Sequence, residues 1–313
     1  MLPPRALTTA LTPLQHREIE LIAAVRPAEL DEVPALLRAC RDAGVRCGLW
    51  PMLADADGRW PSRANVELFA GLVRAVLDAV PGDVPTPSVA VDLEPPFGFV
   101  ARWFSGLRAS QRARGPSSTR GVVWEECVQR FAAIVDDARA RGAEVIAAAV
   151  PMAALDPAGG GAWQRAMGTP IDPVRWDHVS AMLYTSIFEG WSHGALDRED
   201  ARFLLASLCA RVRARFGAVG GVSLGAVSTG ALGDEPVYRS PAELSDDVSL
   251  CVAAGIDDLT LFDYAGVLSR GPADAWLDAF TAPPRAVPPP RASLRARALL
   301  GAATVAGRLP VTR

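Results

Sequence analysis

The chain contains no lysine. All 32 of its basic side chains are therefore Arg, which excludes a Schiff-base lysine, a phosphate-loop lysine and a lysine general base within this chain. Histidine is nearly as scarce. His16, His178 and His193 stand far apart, a poor basis for a zinc hydrolase. His178 opens a strand pattern and reads as structural, whereas His193 lies in a loop and is the better site candidate. The cysteines, Cys40, Cys47, Cys127, Cys209 and Cys251, are odd in number and form no C-x-x-C pair. Neither a disulfide scaffold nor a thiolate zinc site follows. Cys40, Cys209 and Cys251 sit in apolar surroundings and read as small buried hydrophobes. The formal net charge is only -3, so nothing in the total calls for nucleic acid as a partner or for stable membrane insertion. The first ten residues lack the pattern of a signal peptide. This reads as cytoplasmic, or as secreted if the N-terminus is incomplete. The glycine run Gly159 to Gly161 is followed by no Lys and has no G-x-G-x-x-G form, so no nucleotide loop and no cofactor is expected.

What is present is apolar residue in quantity. Half of the 313 residues are hydrophobic, enough for one large core. Strand patterns fall at Arg5 to Leu11, Ile19 to Val25, Val45 to Leu53, Ser88 to Glu94, Val145 to Pro151, His178 to Thr185, Val219 to Gly225 and Leu259 to Gly266. Helical periodicity separates most of them, at Pro27 to Ala43, Val66 to Val80, Val122 to Arg141, Arg198 to Phe216 and Ser240 to Gly255, with a closing helix at Pro272 to Phe280. Asn65 is placed to cap the second of these helices. Eight strands alternating with helices predict a (β/α)8 TIM barrel, a single α/β domain over residues 1–281. Thr12 to Glu18 is too short for a full helix, so either the first βα unit is degenerate or the true first strand lies elsewhere. Residues 282–313 form a Pro/Arg-rich linker and a C-terminal tail, with a short helix or a surface segment at Ser293 to Val305. Membrane or nucleic-acid contact is a weaker reading of that tail.

Two long connections, Pro95 to Arg120 and Ala153 to Pro173, are of the kind that covers an active site in a barrel. The first carries Phe97, Phe99, Trp103 and Phe104, with a helical pattern at Gly98 to Arg112.

The stretch Ser88 to Pro96 reads S-V-A-V-D-L-E-P-P. Its two carboxylates, Asp92 and Glu94, are two residues apart on a strand and so share a face, about 6–7 Å apart. The C-terminal ends of barrel strands hold the active site. Trp50, Met182, Tyr184, Asp263 and Tyr264 also fall there, and Trp191 lies in the loop after the sixth strand pattern. Glu125 and Glu126 open a helix and read as local electrostatics. An inward D-x-E on the fourth strand with M-x-Y on the sixth resembles the family 18 glycoside hydrolases, the chitinase-like barrels. The family's strand-four signature is D-x-x-D-x-D-x-E. Its earlier acids fall on Pro87 and Ala90 here, and Thr185 follows Tyr184 where the family often has Asp. The family also places an aromatic residue at the end of the last strand, where this chain has Phe262 or Tyr264.

The resemblance implies a retaining mechanism on a glycan, with N-acetylated sugars as the family's donors. It assigns Glu94 as general acid, Asp92 as the carboxylate that holds the acetamido N–H, and Tyr184 as the donor to the acetamido oxygen. The substrate's own acetamido oxygen attacks, so no protein nucleophile is needed. Trp50, Met182, Trp191, Asp263 and Tyr264 are then expected to bind substrate, with Trp103 and Trp163 as further stacking candidates. Two other readings use the same residues. One is a non-catalytic carbohydrate-binding barrel. The other is a metal-dependent sugar isomerase or lyase with Asp92, Glu94 and Asp263 as ligands.

Overall fold

The computed structural model describes residues 4–96, 121–230 and 233–310. In chain order the elements are α1 (Pro4–Gln15), β1 (Leu21–Val25), α2 (Val33–Asp42), β2 (Cys47–Pro51), α3 (Val66–Asp78), β3 (Val89–Leu93), α4 (Trp124–Ala140), β4 (Val145–Ala149), α5 (Ala162–Met167), β5 (His178–Met182), α6 (Thr185–Gly190), α7 (Arg198–Phe216), β6 (Gly220–Gly225), α8 (Pro241–Ala253), β7 (Leu259–Phe262), α9 (Tyr264–Arg270), α10 (Ala273–Thr281) and α11 (Leu294–Ala306). The strands lie in one sheet in sequence order, β1 to β7. The pairs β1–β2, β2–β3, β5–β6 and β6–β7 are parallel. This is an α/β fold with seven strands among the described residues, where eight were expected.

The missing strand is Arg5 to Leu11, which forms α1 instead. Its buried positions are Ala10, Leu11 and Leu14, a spacing of three and four that belongs to a helix face rather than to the alternation of a strand. The strand pattern at Leu259 to Gly266 is also too long. The strand stops at Phe262, and Asp263 takes the N-cap position of α9 with extended backbone. The Val267 N–H donates to the Asp263 carbonyl, 3.2 Å away, and closes the helix. Tyr264 is therefore a helical residue. Likewise β5 ends at Met182, and Tyr184 stands at the N-cap of α6. The expected loop at Ala153 to Pro173 contains α5. Phe97, Phe99, Trp103, Phe104 and the helical pattern at Gly98 to Arg112 lie outside the described residues.

The chain forms two compact units. One comprises Met1–Ala147 with Arg165–Asp177, the other Ala148–Gln164 with His178–Arg313. In the first, α2 buries Val33, Leu36, Leu37 and Cys40, and α3 buries Val66, Phe69, Leu72, Val73, Val76 and Leu77. Each fully buried Leu or Phe contributes about 1.5–3 kcal/mol. All five residues of β3 are buried, Asp92 among them. Asp177 anchors β4: its carboxylate accepts from the Val145 N–H at 2.8 Å and pairs with Arg139 at 2.7 Å.

In the second unit, α7 is capped by Asp197, which accepts from the Asp200 N–H at 2.9 Å. Asp247 on α8 is fully buried. It accepts from Tyr238 Oη at 2.9 Å, from Arg198 at 2.7 Å and from Thr185. Thr185 thus serves as a polar support for the core. The tail of this unit is ordered by packing: Ala296 and Leu300 of α11 sit with Leu196, Leu204, Phe188 and Phe203. The Trp163 indole N–H donates to the Ala303 carbonyl at 2.9 Å. Trp163, a stacking candidate in sequence, thus pins α11.

Candidate functional site

The first unit carries the two carboxylates. Asp92 is the fourth residue of β3, inside an otherwise apolar strand, and is 4% exposed. Glu94 follows the strand end and is half-buried. The Glu94 N–H donates to the Asp92 carbonyl at 3.1 Å, a contact between residues i and i+2 that bends the chain in the manner of a γ-turn. The expected separation of 6–7 Å assumed extended backbone throughout. The bend departs from that geometry, and Glu94 is among the side chains that act on the Asp92 carboxyl.

Burial pushes the Asp92 carboxyl up to about 7. Three neighbours oppose that rise: the hydrogen bond with Glu94, the positive charge of Arg59 and a hydrogen bond from the Trp60 side chain. The Asp92 carboxyl thus exchanges its proton near neutrality.

Arg59 and Trp60 come from the loop between β2 and α3. Arg59 and Trp60 are both buried. Arg59 adopts φ 58, a left-handed conformation that is uncommon for a residue with a side chain. A two-toothed ion pair with Asp55 holds it there, at 2.8 and 2.9 Å. Its guanidinium lies 5.8 Å from the Trp60 ring centroid. Asn65 occupies the N-cap position of α3 as expected, but its side chain makes no capping bond. Its amide instead donates to the Asp57 and Trp60 carbonyls, both at 2.9 Å, and accepts from the Ser62 N–H at 2.8 Å. The loop is therefore fixed by side chains at its start, its tip and its end. The signal in the sequence is D-A-D-G-R-W, residues 55–60, in the loop that follows β2.

Trp50 lies half-buried on β2. Leu49 pairs with Val89, which sets Trp50 opposite Ala90 and on the same sheet face as Asp92. Ala90 stands at the position of an acid in the family 18 signature. The groups that act on Asp92 come instead from Glu94 and the β2–α3 loop.

The remaining candidates belong to the second unit. Tyr184 is half-buried and stacks on Phe262, with ring centroids 5.6 Å apart and planes 7° from parallel. Phe262, rather than Tyr264, is the aromatic residue at the end of the last strand. Gly225 makes room for this stack: a Cβ there would stand 2.8 Å from the Phe262 carbonyl oxygen and 3.2 Å from the Tyr184 ring. Met182 is buried on β5 and pairs with Ser223. Trp191 closes α6 and is half-buried. Asp263 accepts from the Ser228 N–H at 3.0 Å and from Ser228 Oγ at 2.9 Å, so its carboxylate ties down the β6–α8 connection. Tyr264 is half-buried at the first position of α9. The structure thus joins Asp92 to Glu94 and, separately, Tyr184 to Phe262.

Solved structures share this fold. The PgaB (BpsB) glycoside hydrolase domain from Bordetella bronchiseptica is 12% identical, with a TM-score of 0.55, covering 90% of this chain and 93% of that one. A variant of GH5_18 from Streptomyces cattleya, in complex with Manb1-4GlcNAc, is 14% identical, with a TM-score of 0.54, covering 93% and 78%. The GH5_18 complex with GlcNAc is 15% identical, with a TM-score of 0.53 and coverage of 93% and 77%. At such identities the likeness is one of fold. No protein-family model matches the chain, and no curated protein matches it in sequence. The fold is therefore one shared with glycoside hydrolase domains of more than one kind.

Other polar groups have local work. Glu125 and Glu126 stand in the first turn of α4, where Glu126 pairs with Arg130 at 3.2 Å. His178 faces Asp258 at 3.5 Å. Among the described residues no three His, Cys, Asp or Glu side chains converge as a metal-binding group would require, and no helix is long and apolar enough to cross a membrane.

Proposed function

We propose that the chain is a glycoside hydrolase-type enzyme acting on a glycan, with Glu94 as general acid and Asp92 as its buried partner. The observation that carries this reading is the placement of the two acids at the end of β3, where the Glu94 N–H donates to the Asp92 carbonyl at 3.1 Å and burial raises the Asp92 carboxyl to about 7. A carboxylic acid can protonate a glycosidic oxygen only if it keeps its proton at working pH. On this reading Glu94 carries the proton and Asp92 is the carboxyl beside it. In the reaction that proton passes to the leaving oxygen as the bond to the anomeric carbon breaks. The ionised Asp92 left beside the site then offsets the positive charge developing on the sugar.

The finer proposal is substrate assistance on an N-acetylated sugar. The acetamido oxygen closes on the anomeric carbon, water opens the resulting ring, and Glu94 takes a proton back from that water. Trp50, on the sheet face of Asp92, offers an aromatic surface for a sugar ring. Met182, Trp191, Asp263 and Tyr264 remain proposed contacts, although Asp263 is already engaged by Ser228. For Tyr184 the claim is separate: its hydroxyl donates to substrate. Tyr184→Phe is then expected to lower kcat/KM about 10- to 100-fold with the Phe262 stack kept, and an unchanged value would remove Tyr184 from the mechanism. The test of the whole reading is a screen of N-acetylated and plain fluorogenic glycosides. Turnover restricted to N-acetylated donors supports substrate assistance. Binding without turnover supports a carbohydrate-binding role instead.

A further inference from the structure

The C-terminal helix α11 is apolar on two opposite sides. One side, with Ala296 and Leu300, packs on the second unit. The other faces solvent. Leu294, Ala298, Ala302 and Val305 follow one another at intervals of four, four and three, so they form a single stripe along the helix. Leu294 is 87% exposed and Val305 61%. Leu309 extends the stripe into the turn that follows and is also exposed. Of the eight large apolar side chains that are well exposed among the described residues, four lie between Leu294 and Leu309. Single exposed hydrophobic residues are ordinary, but a contiguous set marks a contact surface.

The chemistry of the rim identifies what covers it. Arg297, with Arg308 in the turn after α11, flanks the stripe on one side; Arg295, which donates to the Ala195 carbonyl at 3.0 Å and lies near Asp200, flanks it on the other, and all three are exposed. No acidic residue occurs after Asp278. The acids nearest the start of α11 are engaged: Asp200 accepts from the Ser293 N–H at 2.8 Å and from Ser293 Oγ at 3.0 Å, and Glu199 pairs with Arg202. Exposed apolar residues rimmed by cations match the boundary between anionic headgroups and acyl chains. We infer that α11 docks the protein on an anionic lipid surface, lying in the plane of the interface with Leu294, Val305 and Leu309 in the acyl boundary and Arg295, Arg297 and Arg308 on the headgroups. This reading is independent of the chemistry proposed for Asp92 and Glu94.

The test is flotation of the full chain with vesicles of phosphatidylcholine alone, or of equimolar phosphatidylglycerol and phosphatidylcholine. The expected result is partition onto the anionic vesicles only, weakened by salt. The charge variant R295E/R297E/R308E and the apolar variant L294Q/V305Q are each expected to reduce that partition by about tenfold or more. Leu294 and Val305 contribute little to packing at their exposure, and unchanged urea midpoints verify that both variants are folded. Equal partition onto neutral and anionic vesicles, or none onto either, overturns the inference. So does concentration-dependent self-association that L294Q/V305Q abolishes, since the stripe would then join two copies of the chain.

Discussion

Replacing Asp92 by Asn isolates what the buried carboxylate costs. Asn fills the same space, accepts the Trp60 hydrogen bond and donates to Glu94, but it never ionises. Asp92 rises from an ordinary 3.8 to about 7 on folding, with burial as the largest cause. The sign follows from linkage. A carboxyl with a raised folded-state pKa binds more protons folded than unfolded between those values, so stability falls as pH rises through that window. At 1.36 kcal/mol per unit the full cost of ionising Asp92 in place is about 4 kcal/mol. About half of it, ~2 kcal/mol, is incurred between about pH 5.5 and about pH 8. The assay is urea unfolding of both proteins across that range, followed by circular dichroism. The wild-type chain should lose about 2 kcal/mol that Asp92→Asn retains, and the variant should be the more stable of the two above neutrality while losing glycosidase activity. Parallel pH dependences would refute the argument, because they would mean that Asp92 ionises as easily in the folded protein as in the unfolded one.

Other outcomes follow from the same geometry. Arg59→Met removes a positive charge that holds Asp92 down and should raise its pKa, moving the ascending limb of the pH profile of kcat/KM from near 7 to higher pH. An unmoved limb would show that Arg59 has no electrostatic hold on the pair. Trp60→Phe removes a hydrogen bond to the same carboxylate, shifts the limb in the same direction and should cost about 1–3 kcal/mol of stability by leaving a buried acceptor short of a partner. Asp247→Ala leaves the Arg198 guanidinium and the Tyr238 hydroxyl without their buried acceptor and should cost about 3–5 kcal/mol in urea unfolding. A loss below about 1 kcal/mol would mean that this network is solvated rather than sealed.

Much of the fold was legible because parallel strands and their helices leave different periods. The run V-A-V-D-L read as a strand, and it forms β3 with all five residues buried. The failures have physical causes. Residues Arg5 to Leu11 hold only two large apolar side chains, Leu7 and Leu11, and the helical spacing is completed by Leu14, beyond the stretch read as a strand. Asp263 and Tyr184 begin helices immediately after strands, where the apolar pattern continues across the change of period. The pairing of Asp92 with Glu94 depends on a local bend that no residue spacing reveals. Arg59 and Trp60 were missed because a loop rich in Asp and Gly looks like solvent-facing turn. Only the left-handed Arg59, its bond to Asp55 and the Asn65 side chain turn that loop toward the carboxylates. Trp163, an aromatic residue in a long loop, serves to hold a helix.

The central claim is that Glu94 delivers the proton its partner holds for it. The most direct measurement is turnover of N-acetylated fluorogenic glycosides by the wild-type chain and by Glu94→Gln, at saturating substrate. Loss of a general acid costs about 100- to 10,000-fold in rate. The account predicts a loss of that size in kcat with substrate binding retained, smaller for donors whose leaving group needs no proton. Equal turnover by Glu94→Gln and the wild-type chain would contradict it.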